Sequence, residues 1–269
     1  MANSMGSGGS GAGKVAVGVR DVSHAFPLPG GGVKSVLEHI ELSVAQGEFV
    51  AIVGPSGCGK TTLMNLAAGL EPVQTGSVEV LGCSPRSGRR DVGYLFARDA
   101  LLPWRSVLGN AELALELAGV EKAERQERAR ALLAQVGLEG VAKAFPAELS
   151  QGMRQRVAIA RTLAATPSLL MLDEPFSALD AQTKLLLQDA FSQLWQGLGS
   201  TVILITHDLA EAVALADRVV LMTAGPGRIK RVFRVDLARP RSIVDLQGDP
   251  GFHHIYEQLW SELREEVTR

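Results

Sequence analysis

The sequence predicts an α/β fold built on a parallel β-sheet, and three observations predict it. A wholly apolar segment, FVAIVG at 49–54, leads through a short glycine-rich loop into a helical pattern, KTTLMNLAAG at 60–69. After Pro167, short apolar segments alternate with helical segments. Strands that alternate with helices form parallel sheets joined by right-handed crossovers. The chain has 269 residues, 46% of them apolar, so it is long enough to bury a large core.

The remaining elements follow in chain order. Residues 15–49 alternate between apolar and polar side chains with turn signals between them, which predicts an antiparallel β element. Two strand candidates, SVEVLG at 77–82 and DVGYLFA at 91–97, come next, and residues 106–136 show apolar positions at helical spacing. The later strands are predicted in LLMLDEP, TVILITH and RVVLMTAG, and the tail from Gly248 carries one amphipathic helix.

These patterns divide the chain into three parts. Residues 1–14 lack the apolar centre of a signal peptide and indicate a flexible leader or a cloning remnant. Residues 15–247 form one domain, with a helical subdomain inserted at about 98–165, and residues 248–269 form a helical tail.

Composition excludes several classes of protein. The net charge of −2 gives no basic surplus, so we expect no nucleic-acid partner. The two cysteines, Cys58 and Cys83, are too few for a disulfide framework or a zinc site and indicate a reduced, cytosolic setting. No apolar run approaches the roughly 20 residues that cross a bilayer.

The segment GPSGCGKTT at 54–62 matches the phosphate-binding pattern G-x-x-x-x-G-K-[ST] between a predicted strand and a predicted helix. Its glycines let successive backbone N–H groups point at a phosphate, and the helix adds its positive end. Lys60 can reach the β- and γ-phosphates, and the Thr61 hydroxyl can ligate Mg²⁺. A glycine-rich turn without a ligand is disfavoured because the motif lies directly between a predicted strand and a predicted helix, as phosphate binding requires. The predicted nucleotide-binding residues of this loop are Gly54, Pro55, Ser56, Gly57, Cys58, Gly59, Lys60, Thr61 and Thr62.

Three polar residues end two later strands. Asp173 and Glu174 follow the apolar strand of LLMLDEP, where Asp173 is placed to hold Mg²⁺ and Glu174 to polarise a water in line with the γ-phosphate. His207 ends TVILITH and would lie on the same carboxyl edge of the sheet. The alternatives are a solvated turn for the two acids and a structural role for the histidine.

From Val15 onward the chain resembles the ATP-binding subunits of ABC transporters, which implies a RecA-like P-loop NTPase core. GPSGCGKTT is similar to the Walker A motif, LLMLDE to Walker B, LSQGMRQR at 149–156 to the family signature, SALD at 177–180 to the D-loop, and His207 to the switch histidine. The resemblance makes Glu174 and His207 catalytic and assigns Mg²⁺ to Thr61 and Asp173. It also places Phe26 where the family stacks an aromatic ring on adenine. The alternative for Phe26 is a core-facing strand residue.

In this family two subunits pack head to tail, and the signature of one closes over the ATP held by the other. By the resemblance, Ser150, Gln151, Gly152 and Asp180 would face the partner's ATP. LSQGMRQR departs from the common LSGGQ pattern, because Gln151 replaces the first glycine and Met153 replaces the glutamine. We expect Arg154 and Arg156 to form salt bridges between subunits or subdomains.

The resemblance favours an importer, because the chain carries one ATPase unit and no membrane domain. DALLPWRSVLGNAELALEL and ARPRS at 238–242 are similar to subunits of the nitrate, sulfonate and taurine importers. Implied partners are a second copy or a paralogous ATPase, integral-membrane permease subunits, and a periplasmic or lipid-anchored solute-binding protein. The implied location is the cytoplasmic face of the membrane. The alternative is a soluble ABC-type ATPase that remodels a non-transport partner.

One departure concerns the loop after the second strand candidate. The family usually carries a Mg²⁺-ligating glutamine where this chain has Ala97. A methyl group cannot coordinate a cation, so either water takes the position without consequence or hydrolysis needs more Mg²⁺. In the second case, coupling to the permease relies on the body of the loop, which is Leu101, Leu102, Pro103 and Trp104.

Overall fold

The structure, a computed structural model, describes residues 14–267. The predicted leader therefore lies outside the described residues except for Lys14. Among the residues described, no helix is both long and apolar enough to cross a membrane.

The strands form two sheets. The smaller sheet is antiparallel and has the order β2-β1-β4, with β1 at Val15–Pro27, β2 at Val33–Ala45 and β4 at Thr75–Val80. The larger has the order β5-β6-β7-β3-β8-β9. Its strands are β3 at Phe49–Val53, β5 at Val92–Leu95, β6 at Leu169–Asp173, β7 at Thr201–Ile205, β8 at Arg218–Met222 and β9 at Ile229–Arg234.

The first five strands of the larger sheet are parallel, as the alternation of strands and helices predicts. Strand β9 runs antiparallel to β8 at the edge, and sequence analysis did not find it. Its sequence, IKRVFR, carries three basic residues, and only Phe233 among its side chains is buried. An edge strand needs one covered face at most, so it lacks the apolar run of the central strands.

Eight α-helices accompany the sheets within the described residues. Helix α1 follows the glycine-rich loop; α2 to α5 form the predicted helical region; α6 and α7 lie between the later strands; α8 is the predicted tail helix. Their bounds are α1 Lys60–Ala68, α2 Val107–Ala111, α3 Leu113–Leu117, α4 Lys122–Gln135, α5 Gln151–Ala164, α6 Ala181–Leu198, α7 Leu209–Leu215 and α8 Pro250–Val267.

Strand β3 is central because both of its faces are buried. Phe49, Ala51 and Val53 pack into a core shared with helices α5, α6 and α7. Val50 and Ile52 pack into a second core with α1 and the small sheet. Successive side chains of a strand point to opposite faces, so a strand between two layers must be apolar throughout. The loops that follow β3, β6 and β7 meet at the carboxyl edge of the sheet, where the predicted site residues lie.

Candidate functional site

The loop 54–62 has the backbone that its glycines allow. Gly57 and Gly59 adopt positive φ angles of 76° and 98°. A Cβ atom on Gly59 would lie 2.5 Å from Leu37 Cδ2 and 3.0 Å from the Val36 carbonyl oxygen, so only glycine fits there. Helix α1 begins directly afterwards at Lys60 and ends at Ala68, where the left-handed Gly69 caps it. The loop therefore presents a helix N-terminus to the cavity beside it.

Lys60 lies inside the curve of this loop. Its side chain is buried, and Nζ donates hydrogen bonds to the carbonyl oxygens of Gly54 at 2.8 Å and Pro55 at 2.9 Å. Cys58, also buried, lies beside it, and burial raises the pKa of the thiol. A raised pKa keeps the thiol protonated and unreactive, as expected for a residue that only fills the loop.

A cavity of about 370 Å³ opens beside the loop. The predicted residues that line it are Gly54, Ser56, Gly57, Gly59, Lys60, Thr61, Thr62, Glu174 and His207. Val36 and Ile205 line it as well, and sequence analysis missed both because neither carries a polar group. Phe26 does not line the cavity; it is half-buried on β1 and meets the ring of His24 edge to face at 4.7 Å between centroids.

Thr61, which lines the cavity, contacts Asp173, which lies 112 residues further along the chain and does not line it. The Thr61 hydroxyl donates a hydrogen bond of 3.0 Å to Asp173 Oδ2. Burial raises the pKa of the Asp173 carboxyl, while the hydrogen bond from Thr61 lowers it and the neighbouring Glu174 raises it further. A nearby cation would relieve the cost of keeping this buried carboxylate charged.

Glu174 and His207 lie next to each other at the cavity wall, with Nδ1 of the histidine 3.3 Å from Oε1 of the glutamate. The backbone of Glu174 has φ of +48°, an uncommon conformation for a residue with a side chain. Three hydrogen bonds fix it: its N–H donates to the Ile205 carbonyl at 2.9 Å, and its carbonyl accepts from the Ser177 hydroxyl at 3.0 Å and from the Ser177 N–H at 3.3 Å. The strained backbone directs this carboxylate into the cavity.

The four residues expected to face a partner's ATP lie elsewhere. Ser150 caps helix α5, and its hydroxyl accepts a hydrogen bond from the Met153 N–H at 3.2 Å. Asp180 caps helix α6 by accepting from the Thr183 N–H at 3.0 Å, which lowers the pKa of its carboxyl. Gln151 is exposed and Gly152 is partly so. None of these four described residues lines the cavity of its own chain.

Gly152 also has a role within its own chain. A Cβ atom at this position would lie 3.0 Å from Leu179 Cδ2, in the segment before α6. The signature segment therefore packs on the D-loop segment of the same chain, and a side chain at this position would need Leu179 to shift by a few tenths of an ångström.

The two signature arginines bind within the chain. Arg154 forms a salt bridge of 2.9 Å with Asp99, joining α5 to the loop after β5. Arg156 makes no ion pair among the described residues; it donates to the carbonyl oxygen of Val136 at the end of α4. A salt bridge from either arginine to a second subunit stays a prediction.

Comparison with known proteins identifies the family. The model of the family described as ABC transporter matches residues 37–177. The chain belongs to the ABC transporter family. A taurine import ATP-binding protein of Escherichia coli K12 is 45% identical over 249 residues, covering 91% of this chain and 97% of its own. An uncharacterised ABC transporter ATP-binding protein of Methanocaldococcus jannaschii, MJ0412, is 44% identical over 256 residues, covering 95% of this chain and 94% of its own.

Two solved structures of the ABC cassette MJ0796 have the same fold. A dimeric structure of this cassette gives a TM-score of 0.76, and a dimeric post-hydrolysis state bound to ADP and Pi gives 0.75. Both are 30% identical in sequence to this chain. Each match covers 82% of this chain and 100% of the MJ0796 chain. The predicted P-loop NTPase fold is confirmed.

The activity predicted from the family resemblance is confirmed as well. The chain binds ATP and is the ATPase subunit of an ABC importer; the alternative, a soluble ATPase remodelling a non-transport partner, is not favoured. Both of these MJ0796 structures are described as dimers.

Proposed function

We propose that the cavity beside loop 54–62 holds the triphosphate of ATP and that Glu174 activates the water that hydrolyses it. The observation that carries this proposal is the convergence of three loops on one cavity: the phosphate loop after β3, Glu174 after β6 and His207 after β7. In a sheet of this type, ligands bind at the carboxyl ends of the strands.

The proposed mechanism assigns a step to each residue. Lys60 exchanges its bonds to Gly54 and Pro55 for bonds to the β- and γ-phosphates, which neutralises their charge. Glu174 accepts a proton from a water molecule while the oxygen of that water bonds to the γ-phosphorus. The bond from that phosphorus to the bridging oxygen breaks, which gives ADP and phosphate. His207, 3.3 Å from Glu174, orients the carboxylate and the γ-phosphate.

The chain fits a magnesium ion at the base of this cavity. A hydroxyl and a buried carboxylate lie 3.0 Å apart at Thr61 and Asp173, and both are oxygen ligands of the kind that Mg²⁺ prefers. When bound, Mg²⁺ would neutralise charge on the β- and γ-phosphates. Thr61 and Asp173 would hold it, while phosphate oxygens and water supply the other positions. Phe26 remains the proposed adenine-stacking residue, on β1.

In the head-to-tail dimer, Ser150, Gln151, Gly152 and Asp180 act on the ATP of the partner. Supporting this assignment, the four residues do not line their own chain's cavity, and Ser150 and Asp180 stand at helix N-termini, which attract anions. The domain arrangement that goes with it is an ATPase domain at 15–247, its helical subdomain at about 98–165 and a tail at 248–269.

The transported solute is nitrate, a sulfonate, taurine or a related small organic solute. Support comes from the 45% identity to a taurine import ATP-binding protein, which covers 91% of this chain. The subunit would pair with itself or a paralogue and bind a permease at the cytoplasmic face of the membrane. A periplasmic or lipid-anchored binding protein would deliver the solute.

Phosphate release tests the assignment of Glu174. Glu174→Gln keeps the shape of the side chain and loses the base, so steady-state hydrolysis should fall by roughly 100-fold or more while the affinity for ATP stays within about twofold. Glu127→Gln, an exposed change on α4, is the control and should hydrolyse ATP as the wild type does. Undiminished hydrolysis in Glu174→Gln would overturn the assignment.

A further inference from the structure

The loop 223–228, which follows β8, lies directly against the phosphate loop. A Cβ atom on Gly227 would lie only 1.9 Å from the Cys58 carbonyl oxygen, so the two backbones touch without side chains between them. A Cβ atom on Gly54 would likewise lie 2.9 Å from the Met222 carbonyl oxygen at the end of β8. A displacement of the 223–228 loop therefore passes directly to the backbone that faces the phosphates.

The same loop is bonded to strand β2 on its other side. The Gly227 N–H donates to the Val36 carbonyl at 2.8 Å, and the Glu38 N–H donates to the Gly227 carbonyl at 3.0 Å. Val36 lines the nucleotide cavity. The 223–228 loop thus connects the phosphate loop with the segment of β2 that lines the same cavity.

The C-terminal helix α8 reaches this loop through Glu266. This residue is 4% exposed, and its Oε2 accepts a hydrogen bond of 3.1 Å from the Ala224 N–H. Its Oε1 lies 3.1 Å from Lys230 Nζ on β9. Phe252 and Leu259 anchor the helix in the core that it shares with α7. The glutamate is therefore a fixed, buried acceptor at the point where the helix meets the loop.

We propose that Glu266 is a positioning residue for nucleotide binding: by holding the 223–228 loop, helix α8 keeps the phosphate loop in its binding conformation. The inference rests on the proposed function, in which loop 54–62 holds the triphosphate. A phosphate loop binds through backbone N–H groups whose directions must be fixed before the ligand arrives, and each loss of preorganisation lowers the affinity.

The chain offers a matched control in Glu262. This residue lies on the same helix one turn before Glu266, contacts the same Lys230 at 3.1 Å and also binds Arg231, but none of these bonds reaches the 223–228 loop. Glu262→Gln therefore removes comparable ion pairs from α8 and leaves the loop attached. Glu266→Gln is the conservative variant, because its amide oxygen can still accept from Ala224.

The test measures the affinity for a non-hydrolysable ATP analogue by calorimetry on the full chain, with hydrogen exchange of the amides of 54–62 as a second readout. Glu266→Ala should lower the affinity by roughly three- to tenfold and speed exchange in 54–62. Glu266→Gln should recover most of the affinity, and Glu262→Gln should stay within about twofold of the wild type.

Each other outcome has a defined meaning. If Glu266→Ala leaves both affinity and exchange in 54–62 unchanged, the proposed positioning role is wrong. An equal loss in Glu262→Gln would also overturn it, because the cause would then be general weakening of α8. Lys60→Ala, measured in parallel, separates the two proposals: normal affinity in that variant would overturn the phosphate-binding assignment itself.

Discussion

Lys60 illustrates at the scale of a single residue how the site is prepared for a phosphate. Its buried ammonium is held by two carbonyl oxygens of its own loop, and neutral carbonyls bind a cation less strongly than phosphate oxygens do. Lys60→Ala removes the cation nearest the bound phosphates, so the affinity for ATP should fall by roughly 10- to 100-fold. Calorimetry with a non-hydrolysable analogue measures this fall.

Lys122→Ala is the matched control for that measurement, because Lys122 is an exposed lysine on α4, away from the cavity. Its affinity should equal that of the wild type. Equal affinities in all three proteins would contradict the role of Lys60.

At the scale of elements, Arg241 fastens the segment after β9 to helix α7. Its side chain is buried and donates to the carbonyl oxygens of Ala214 and Ala216 at the end of α7, and to those of Val235 and Leu237. Burial, together with the charge of Arg239, lowers the pKa of the guanidinium to about 10. The negative end of the helix dipole and four carbonyls offset the cost of burying this charge.

Arg241→Ala leaves these buried carbonyls without donors. The free energy of unfolding should fall by about 3 kcal/mol, which is roughly 5–10 °C in Tm for a chain of this length. Thermal unfolding followed by circular dichroism measures the change. Arg234→Ala, at an exposed position of β9, is the control and should unfold within about 1 °C of the wild type. A drop as large in the control would show that the effect is not specific to Arg241.

The loop after β5 is the second element whose behaviour can be tested. Ala97 is exposed, and the loop is attached to α5 by the salt bridge from Arg154 to Asp99 and by Arg161, which donates to the carbonyls of Asp99 and Ala100 at 2.8 Å. Asn110 is fully buried and holds Leu102 through two hydrogen bonds, while Trp104 is 71% exposed. The loop is thus fixed to the helical region, and the indole ring of Trp104 is exposed on its surface.

Ala97→Gln would supply the missing Mg²⁺ ligand, so half-maximal hydrolysis should occur at a lower Mg²⁺ concentration. The measurement is phosphate release across a Mg²⁺ titration, with and without the permease. Arg98→Gln places the same amide one residue along on the exposed loop and should not shift the titration. If Ala97→Gln shifts neither the half-saturating Mg²⁺ nor the turnover stimulated by permease, water fills the position and Ala97 is a neutral departure.

At the scale of the whole molecule, the proposed head-to-tail dimer makes each chain hold the parts of two incomplete sites. Its cavity contains the phosphate loop, Glu174 and His207, while the signature at 150–152 lies outside that cavity. Gly152→Asp should therefore bind ATP with normal affinity and lose turnover, because the added carboxylate would repel the partner's γ-phosphate. ATP binding by calorimetry and phosphate release on the same preparation test this expectation.

Gly152→Ala is the necessary control, since any side chain at this position meets Leu179 of its own chain. It should retain most of the turnover. Mixed with Glu174→Gln subunits, Gly152→Asp should regain phosphate release, because one site of the mixed dimer then carries both substitutions and the other site carries neither. No recovery of phosphate release on mixing would contradict the head-to-tail arrangement.

Much of this protein could be predicted from its sequence because the relevant signals are local. The strand, loop and helix of 49–69 follow from apolar residues, glycines and one lysine in a fixed order. The acids after β6 and the histidine after β7 follow from the rule that parallel strands end at one edge. The tail helix follows from its amphipathic spacing.

Tertiary structure alone decided the contacts between distant segments. The bond from Thr61 to Asp173 spans 112 residues, and Glu266 reaches a loop 42 residues before it. The edge strand β9, the apolar lining of Val36 and Ile205, and the carbonyl partners of Arg156 and Arg241 have no local pattern. Each depends on which surfaces come together when the two cores are buried, and that is a property of the packed chain rather than of any segment within it.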